Sequence, residues 1–191
     1  MVIVIFGRED EKERVNLLDF LVREFHEITS LYYIINSKRN DSLADQDPVH
    51  YHGKKFITEK LESLCFRVGP KSFYQTNSLQ AARLYSIARD FASLSGNEVV
   101  YDLYTGTGTI ACFIASSAAK VIGIEYVEEA VADARINAGD NNINNVAFIA
   151  GDMKDVFNDE FMTENGYPDV IITDPPRAGM HEDVVNAILR S

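Results

Sequence analysis

The sequence has little cysteine, no long apolar run and a shortage of positive charge, and each shortage excludes something. Its two cysteines, Cys65 and Cys112, lie in apolar stretches without Cys-x-x-Cys spacing. That excludes a disulfide framework and a sulfur-ligated metal site, and it fits a reducing, cytoplasmic setting. No apolar run approaches the roughly 18 residues needed to span a bilayer, so no membrane segment is expected. The opening Met1-Val2-Ile3-Val4-Ile5-Phe6 has neither the charged leader nor the cleavage site of a signal peptide, and reads as a strand. Lysine and arginine number 18 against 29 aspartates and glutamates, a formal net charge of −11. Binding a polyanion draws on clustered Lys and Arg, so this chain is not expected to grip one alone. The basic pairs Lys38-Arg39 and Lys54-Lys55 read as solvated surface.

What is present fits one good core and a smaller appendage in 191 residues. Residues 1–70 read as a small α+β unit. It has a strand at Val2–Phe6, an amphipathic helix over Glu11–Phe25 with Val15, Leu18, Val22 and Phe25 inward, and a strand at Leu31–Ile35. A polar loop Asn36–Pro48 follows, then paired strands near Lys54–Glu59 and Leu61–Val68. Gly69-Pro70 punctuates the chain, and Asn77 or Ser78 caps a helix running to Leu94. Residues 71–191 then alternate strand and helix: Val99–Leu103, Ile110–Ala118, Val121–Glu125, Glu129–Ala138, Val146–Ile149, Val170–Thr173 and a final helix. That alternation predicts an α/β fold with a parallel, Rossmann-like sheet. With four strands before Ser191, the sheet reads as truncated.

The segment from Val99 to Ala111 joins a buried strand, a tight turn with Gly106 and Gly108, and a helix start opening on Thr109. Glycines there let backbone pass close beneath a ligand. Gly106-x-Gly108-x-x-Ala111 also meets the loose dinucleotide fingerprint, with Glu125 where a ribose-binding acid belongs. Asp102 at the strand end discriminates between cofactors. A carboxylate there repels a diphosphate and attracts the ammonium or sulfonium of S-adenosylmethionine. Glu125 suits a vicinal diol, accepting two hydrogen bonds, and Asp152, after the third strand, suits an adenine amino group. Asp174-Pro175-Pro176-Arg177 follows an apolar strand at the same sheet edge, where two prolines hold Asp174 rigidly. Arg177 stands where amino-methyltransferases carry a stacking aromatic, and a planar cation suits phosphate or carbonyl contact better.

Together with Ser72-Phe73-Tyr74-Gln75-Thr76-Asn77, these motifs resemble the RNA uracil-C5-methyltransferase family over residues 72–179. The resemblance implies S-adenosylmethionine as cofactor and RNA as partner, ribosomal rather than transfer RNA. It puts Gln75, Tyr104, Thr109, Glu125, Asp152 and Asp174 at cofactor-contacting positions, with Gln75 and Asp174 nearest the reacting groups. Residues 1–70 then correspond to the family's central subdomain, partly an RNA-docking element. The family's chemistry begins with a thiolate adding to uracil C6. The C5 so activated takes the methyl group, a base removes the C5 proton, and the thiolate leaves. The resemblance places that cysteine and that base beyond Ser191, so no catalytic residue is expected in this chain, and the chain alone is expected to be inactive. Cys65 and Cys112 read as packing thiols. The competing readings are a nucleic-acid amino-methyltransferase, a nicotinamide-dependent oxidoreductase, and a non-catalytic RNA-binding module on the same fold.

Overall fold

The computed structural model describes residues 1–38 and 46–191. The pair Lys38-Arg39 and the stretch Asn36–Pro48 therefore lie partly outside the described residues. The chain divides into two compact units, one of residues 1–58 and 68–71, the other of 59–67 and 72–191.

In the first unit, β1 (Val2–Phe6) pairs in parallel with β2 (Ser30–Ile35), which pairs antiparallel with β3 (Val49–Gly53). The connecting α1 (Glu11–Glu24) is capped by Asp10, whose side chain accepts from Glu13 N–H, so one orphan donor of the first turn is satisfied. Leu18 of α1 and Leu31 of β2 are fully buried. The strand β3 was not expected from sequence, since its His-Tyr-His core hides the apolar alternation. Phe25 is 46% exposed and stands just past the helix end, so it belongs to the surface rather than to the inward stripe.

The second unit begins with a two-stranded sheet of β4 (Ile57–Leu61) and β5 (Leu64–Val68), through which the division between the units runs. The expected strand limits shift because Glu62, with φ of 53°, makes the turn. Helix α2 (Ser78–Ala92) follows, capped by Asn77 accepting from Gln80 N–H at 3.1 Å. It ends two residues before the expected Leu94 because Ser93 adopts a left-handed conformation.

The sheet of this unit is parallel, in the order β8 (Val146–Ala150), β7 (Lys120–Glu125), β6 (Val99–Leu103), β9 (Val170–Thr173). It crosses over through α3 (Thr109–Ile114), extended by a 3₁₀ turn at Ala115–Ser117, and α4 (Glu128–Asp140). Two short helices, α5 (Met153–Val156) and α6 (Asp159–Asn165), precede β9, and α7 (Glu182–Ile188) follows it. Neither α5 nor α6 was expected; each is held by its cap, Asp152 or Asn158, rather than by apolar periodicity. Apolar side chains pack on both faces of the sheet. Val100, Val121 and Phe148 share one cluster with α2, α3 and α4, and Tyr101, Ile122 and Ile124 share the other with Met153, Phe157, Met162 and Val184. A sheet covered on both sides presents its carboxyl edge, where β6, β7 and β9 end, as the place for a ligand.

Candidate functional site

At the end of β6 the chain reverses sharply, with φ of 67° at Tyr104, 55° at Gly106 and 77° at Gly108. Tyr104 and Thr105 both donate their backbone N–H to Ile124 O, at 3.0 and 3.1 Å, tying the turn to β7. The two glycines serve different ends. A Cβ on Gly108 would lie 2.7 Å from the Phe148 ring and 2.9 Å from Ala134, so protein packing demands glycine there. A Cβ on Gly106 would meet nothing within 4 Å, which leaves the turn open above it.

Asp102 is fully buried behind this turn. Its Oδ2 accepts from Thr105 Oγ1 at 2.5 Å and from Ala111 N–H at 3.0 Å, bracing both ends of the turn, while Oδ1 is buried without a partner. Burial pushes this carboxyl up to about 7, against the bonds from Thr105 and Ala111, and the nearby Asp174 and Glu125 carboxylates push the same way. Asp102 is thus an internal strut that braces the turn from behind. Thr109, the first residue of α3, is buried and lies with its hydroxyl 3.4 Å from that of Thr107.

Glu125, at the end of β7, accepts from Gly106 N–H and Val127 N–H, each at 3.0 Å. Each oxygen keeps a lone pair for a hydroxyl donor. The first of these bonds also fills the glycine amide that a diphosphate would use. Beside it lies a cleft of about 250 Å³ lined by Tyr104, Tyr126, Asp152, Met153, His181 and Val184. Asp152 caps α5, accepting from Lys154 N–H at 3.2 Å, and pairs with the Lys154 ammonium at 3.3 Å. Its carboxylate raises the Tyr104 phenol further, beyond the effect of burial.

The Asp174-Pro175-Pro176-Arg177 turn leaves β9 at the same edge. Asp174 N–H points to Leu103 O at 3.4 Å, and Gly179 N–H closes the turn on Pro176 O at 2.8 Å. Asp174 and Arg177 are exposed. Gln75 is half-buried in a segment held at both ends: Ser72 donates to Asp133 at 2.7 Å, and Asn77 caps α2. The turn, Glu125, Tyr104 and Asp152 therefore stand together, with Asp174 at the neighbouring strand end. No polar contact joins Gln75 or Arg177 to them among the described residues.

Sequence reasoning did not single out Tyr126, His181 or Tyr85. Tyr126 follows the strand-end acid directly and is 71% exposed, a signal that was available. Tyr85 lies four residues after the buried Ala81 on α2. Its phenol is pushed up to about 12, chiefly by burial and then by Asp174, Tyr74 and Asp102. Burial, reinforced by Asp102, pushes the Cys112 thiol up to about 12, and Cys65 is half-buried in β5 with its backbone N–H and C=O both bonded to Asn141. Among the described residues, no group of three or more His, Cys, Asp or Glu is arranged to hold a metal ion, and no helix is long and apolar enough to cross a membrane.

Residues 94–189 match the family described as a methyltransferase domain. The chain is 58% identical over 189 residues to an uncharacterized RNA methyltransferase of Porphyromonas gingivalis, covering 99% of this chain and 41% of the relative. A Bacteroides thetaiotaomicron protein of the same description is also 58% identical, over 192 residues, with 99% and 42% covered. The chain thus spans about two fifths of the length of the curated relatives it matches. Among solved structures, the tRNA (uracil-54, C5)-methyltransferase of Pyrococcus abyssi, in complex with S-adenosyl-L-homocysteine, is similar with a TM-score of 0.69. Its identity is 32%, with 85% of this chain and 38% of that chain covered.

Proposed function

Because this chain belongs to the methyltransferase-domain family, we propose that it forms the S-adenosylmethionine-binding part of an enzyme that methylates uracil C5 in RNA. The observation that carries the reading is the pairing of Glu125 with the Gly106 amide beside the cleft holding Tyr104 and Asp152. An acidic rim around a glycine turn whose amide is already taken fits a nucleoside without phosphates, and disfavours nicotinamide dinucleotides. In this reading Glu125 accepts from the ribose hydroxyls, Asp152 from the adenine amino group, and Tyr104 and Tyr126 flank the base. The turn of Gly106, Gly108 and Thr109, braced by Asp102, lies under the sulfonium end. Gln75 and Asp174 stand nearest the reacting groups, and Arg177 contacts RNA phosphate or a base carbonyl. The cofactor supplies an electrophilic methyl group; the residues here bind and orient.

The uracil assignment rests on the Gln75 segment, on Arg177 in place of an aromatic, and on likeness to the Pyrococcus abyssi enzyme. Uracil C5 needs a thiolate partner at C6, and neither Cys65 nor Cys112 is built for that. On this reading these 191 residues alone bind cofactor and complete no methyl transfer. Ribosomal RNA is the proposed substrate. Mass spectrometry of nucleosides from ribosomal and transfer RNA of a strain lacking the gene tests this. Loss of 5-methyluridine from ribosomal RNA is expected; loss of a methylated purine instead would contradict it.

A further inference from the structure

Helix α4 and its C-cap Asn141 carry a polar stripe at i, i+4 and i+8: Asp133, Asn137 and Asn141. Such spacing keeps three side chains on one helix face. This face holds Cys65, Arg67 and Ser72. Asn141 Oδ1 accepts from Cys65 N–H at 2.8 Å and its amide donates to Cys65 O at 2.7 Å. Asn137 Oδ1 accepts from Arg67 N–H at 2.8 Å and its amide donates back to Arg67 O at 3.5 Å. Asp133 accepts from Ser72. The match is geometric: four residues of helix advance about 6 Å and two of strand about 6.7 Å, so successive asparagines meet alternate residues of β5.

Asn137 does one thing more. Its side-chain amide also donates to Thr107 O at 3.2 Å, inside the glycine turn, and Asn137 is fully buried. A buried amide is costly unless its groups are bonded, and here both the oxygen and the NH₂ have partners. Across a planar trans peptide, the orientation of Thr107 C=O fixes that of Gly108 N–H, which bonds Thr105 O at 2.9 Å. The turn is thus pinned from opposite sides, at Gly106 N–H by Glu125 and at Thr107 C=O by Asn137.

We propose that Asn137 is a positioning residue that keys the cofactor turn Thr105–Gly108 to strand β5, so that the turn is shaped for cofactor before it arrives. The proposal rests on the cofactor reading given above. Asn141 supplies the control, because it clamps the same strand without touching the turn. The test is calorimetric titration of the 191-residue chain with S-adenosyl-L-homocysteine, for wild type, Asn137→Ala and Asn141→Ala, each at a temperature well below its melting transition. Both variants are expected to melt earlier than wild type. Only Asn137→Ala is expected to weaken binding, by about tenfold, since an unpaired buried carbonyl lets the turn relax, while Asn141→Ala stays within about twofold.

Wild-type binding with Asn137→Ala unchanged, or with both variants weakened alike, would overturn this inference alone. No binding by wild type would overturn the cofactor reading and this inference with it. Should Asn137→Ala fail to fold, hydrogen exchange on wild type decides. Ligand is expected to slow exchange at Cys65 and Arg67 together with the turn; slowing confined to the turn would contradict the coupling.

Discussion

Single residues in this site divide into those that shape the turn and those that line the neighbouring cleft, and the two groups predict different measurements. Asp102 shapes. A carboxyl whose pKa is raised on folding, here from 3.8 to about 7, holds its proton more tightly folded than unfolded. Its contribution to stability is therefore best below the unfolded value and worsens as pH rises through that window. Asp102→Asn is expected to shrink the difference between denaturation free energies measured at pH 5 and at pH 8; an unchanged difference would show the carboxyl ionised throughout. Glu98 behaves oppositely and in a lower window. The Ser95 hydroxyl, then the backbone N–H groups of Ser95, Glu98 and Gly96, hold its carboxyl down to about 2, so its support is present above 4.5 and lost as pH falls toward about 2. The glycines also separate. Gly108→Ala adds a clash with Phe148 to a left-handed backbone and is expected to cost about 3 kcal/mol, whereas Gly106→Ala costs about 1 to 2 kcal/mol from backbone alone. Urea denaturation of both variants checks the order.

Whole elements were legible where periodicity carried them. The four parallel strands and α2 and α4 follow from apolar runs, turn glycines and the Asn77 cap, and the Gly106, Glu125, Asp152 and Asp174 positions follow from being at strand ends. What escaped was set by tertiary partners. Strand β3 is read as polar because His50 and His52 alternate with Val49 and Tyr51, and α5 and α6 exist through their caps. Asn137 looked like one helical asparagine among several, and only the register of α4 against β5 gives it a role. The division of labour between Gly106 and Gly108 was equally hidden, since it depends on a phenylalanine forty residues later. Element stability should follow the caps. Asn77→Ala removes the acceptor for Gln80 N–H and is expected to destabilise the chain by about 1 kcal/mol, read as a lowered thermal midpoint.

Across the whole molecule, acid is unevenly spread. The unit of residues 1–58 and 68–71 holds nine Lys and Arg against ten Asp and Glu, while the other unit holds nine against nineteen. On the proposed reading, the acidic unit offers RNA phosphate little beyond isolated cations such as Arg177, and most RNA docking is expected on the near-neutral unit and on the rest of the longer proteins that this chain resembles. On that proposal the exposed Lys54 and Lys55, solvated surface in the sequence reading, become phosphate contacts, and their charge reversal is expected to weaken RNA binding in the full-length protein, as read by filter binding across salt concentrations. Homocysteine-ligand affinity should not move. The claim beneath all of this is that the glycine turn, closed by Glu125, receives a phosphate-free nucleoside cofactor. Calorimetric titration of wild type and Glu125→Ala with S-adenosyl-L-homocysteine and with NAD tests it most directly. Binding of the homocysteine compound alone, weakened about tenfold to a hundredfold by Glu125→Ala, is the predicted result; tighter binding of NAD, or an affinity indifferent to Glu125, would contradict it.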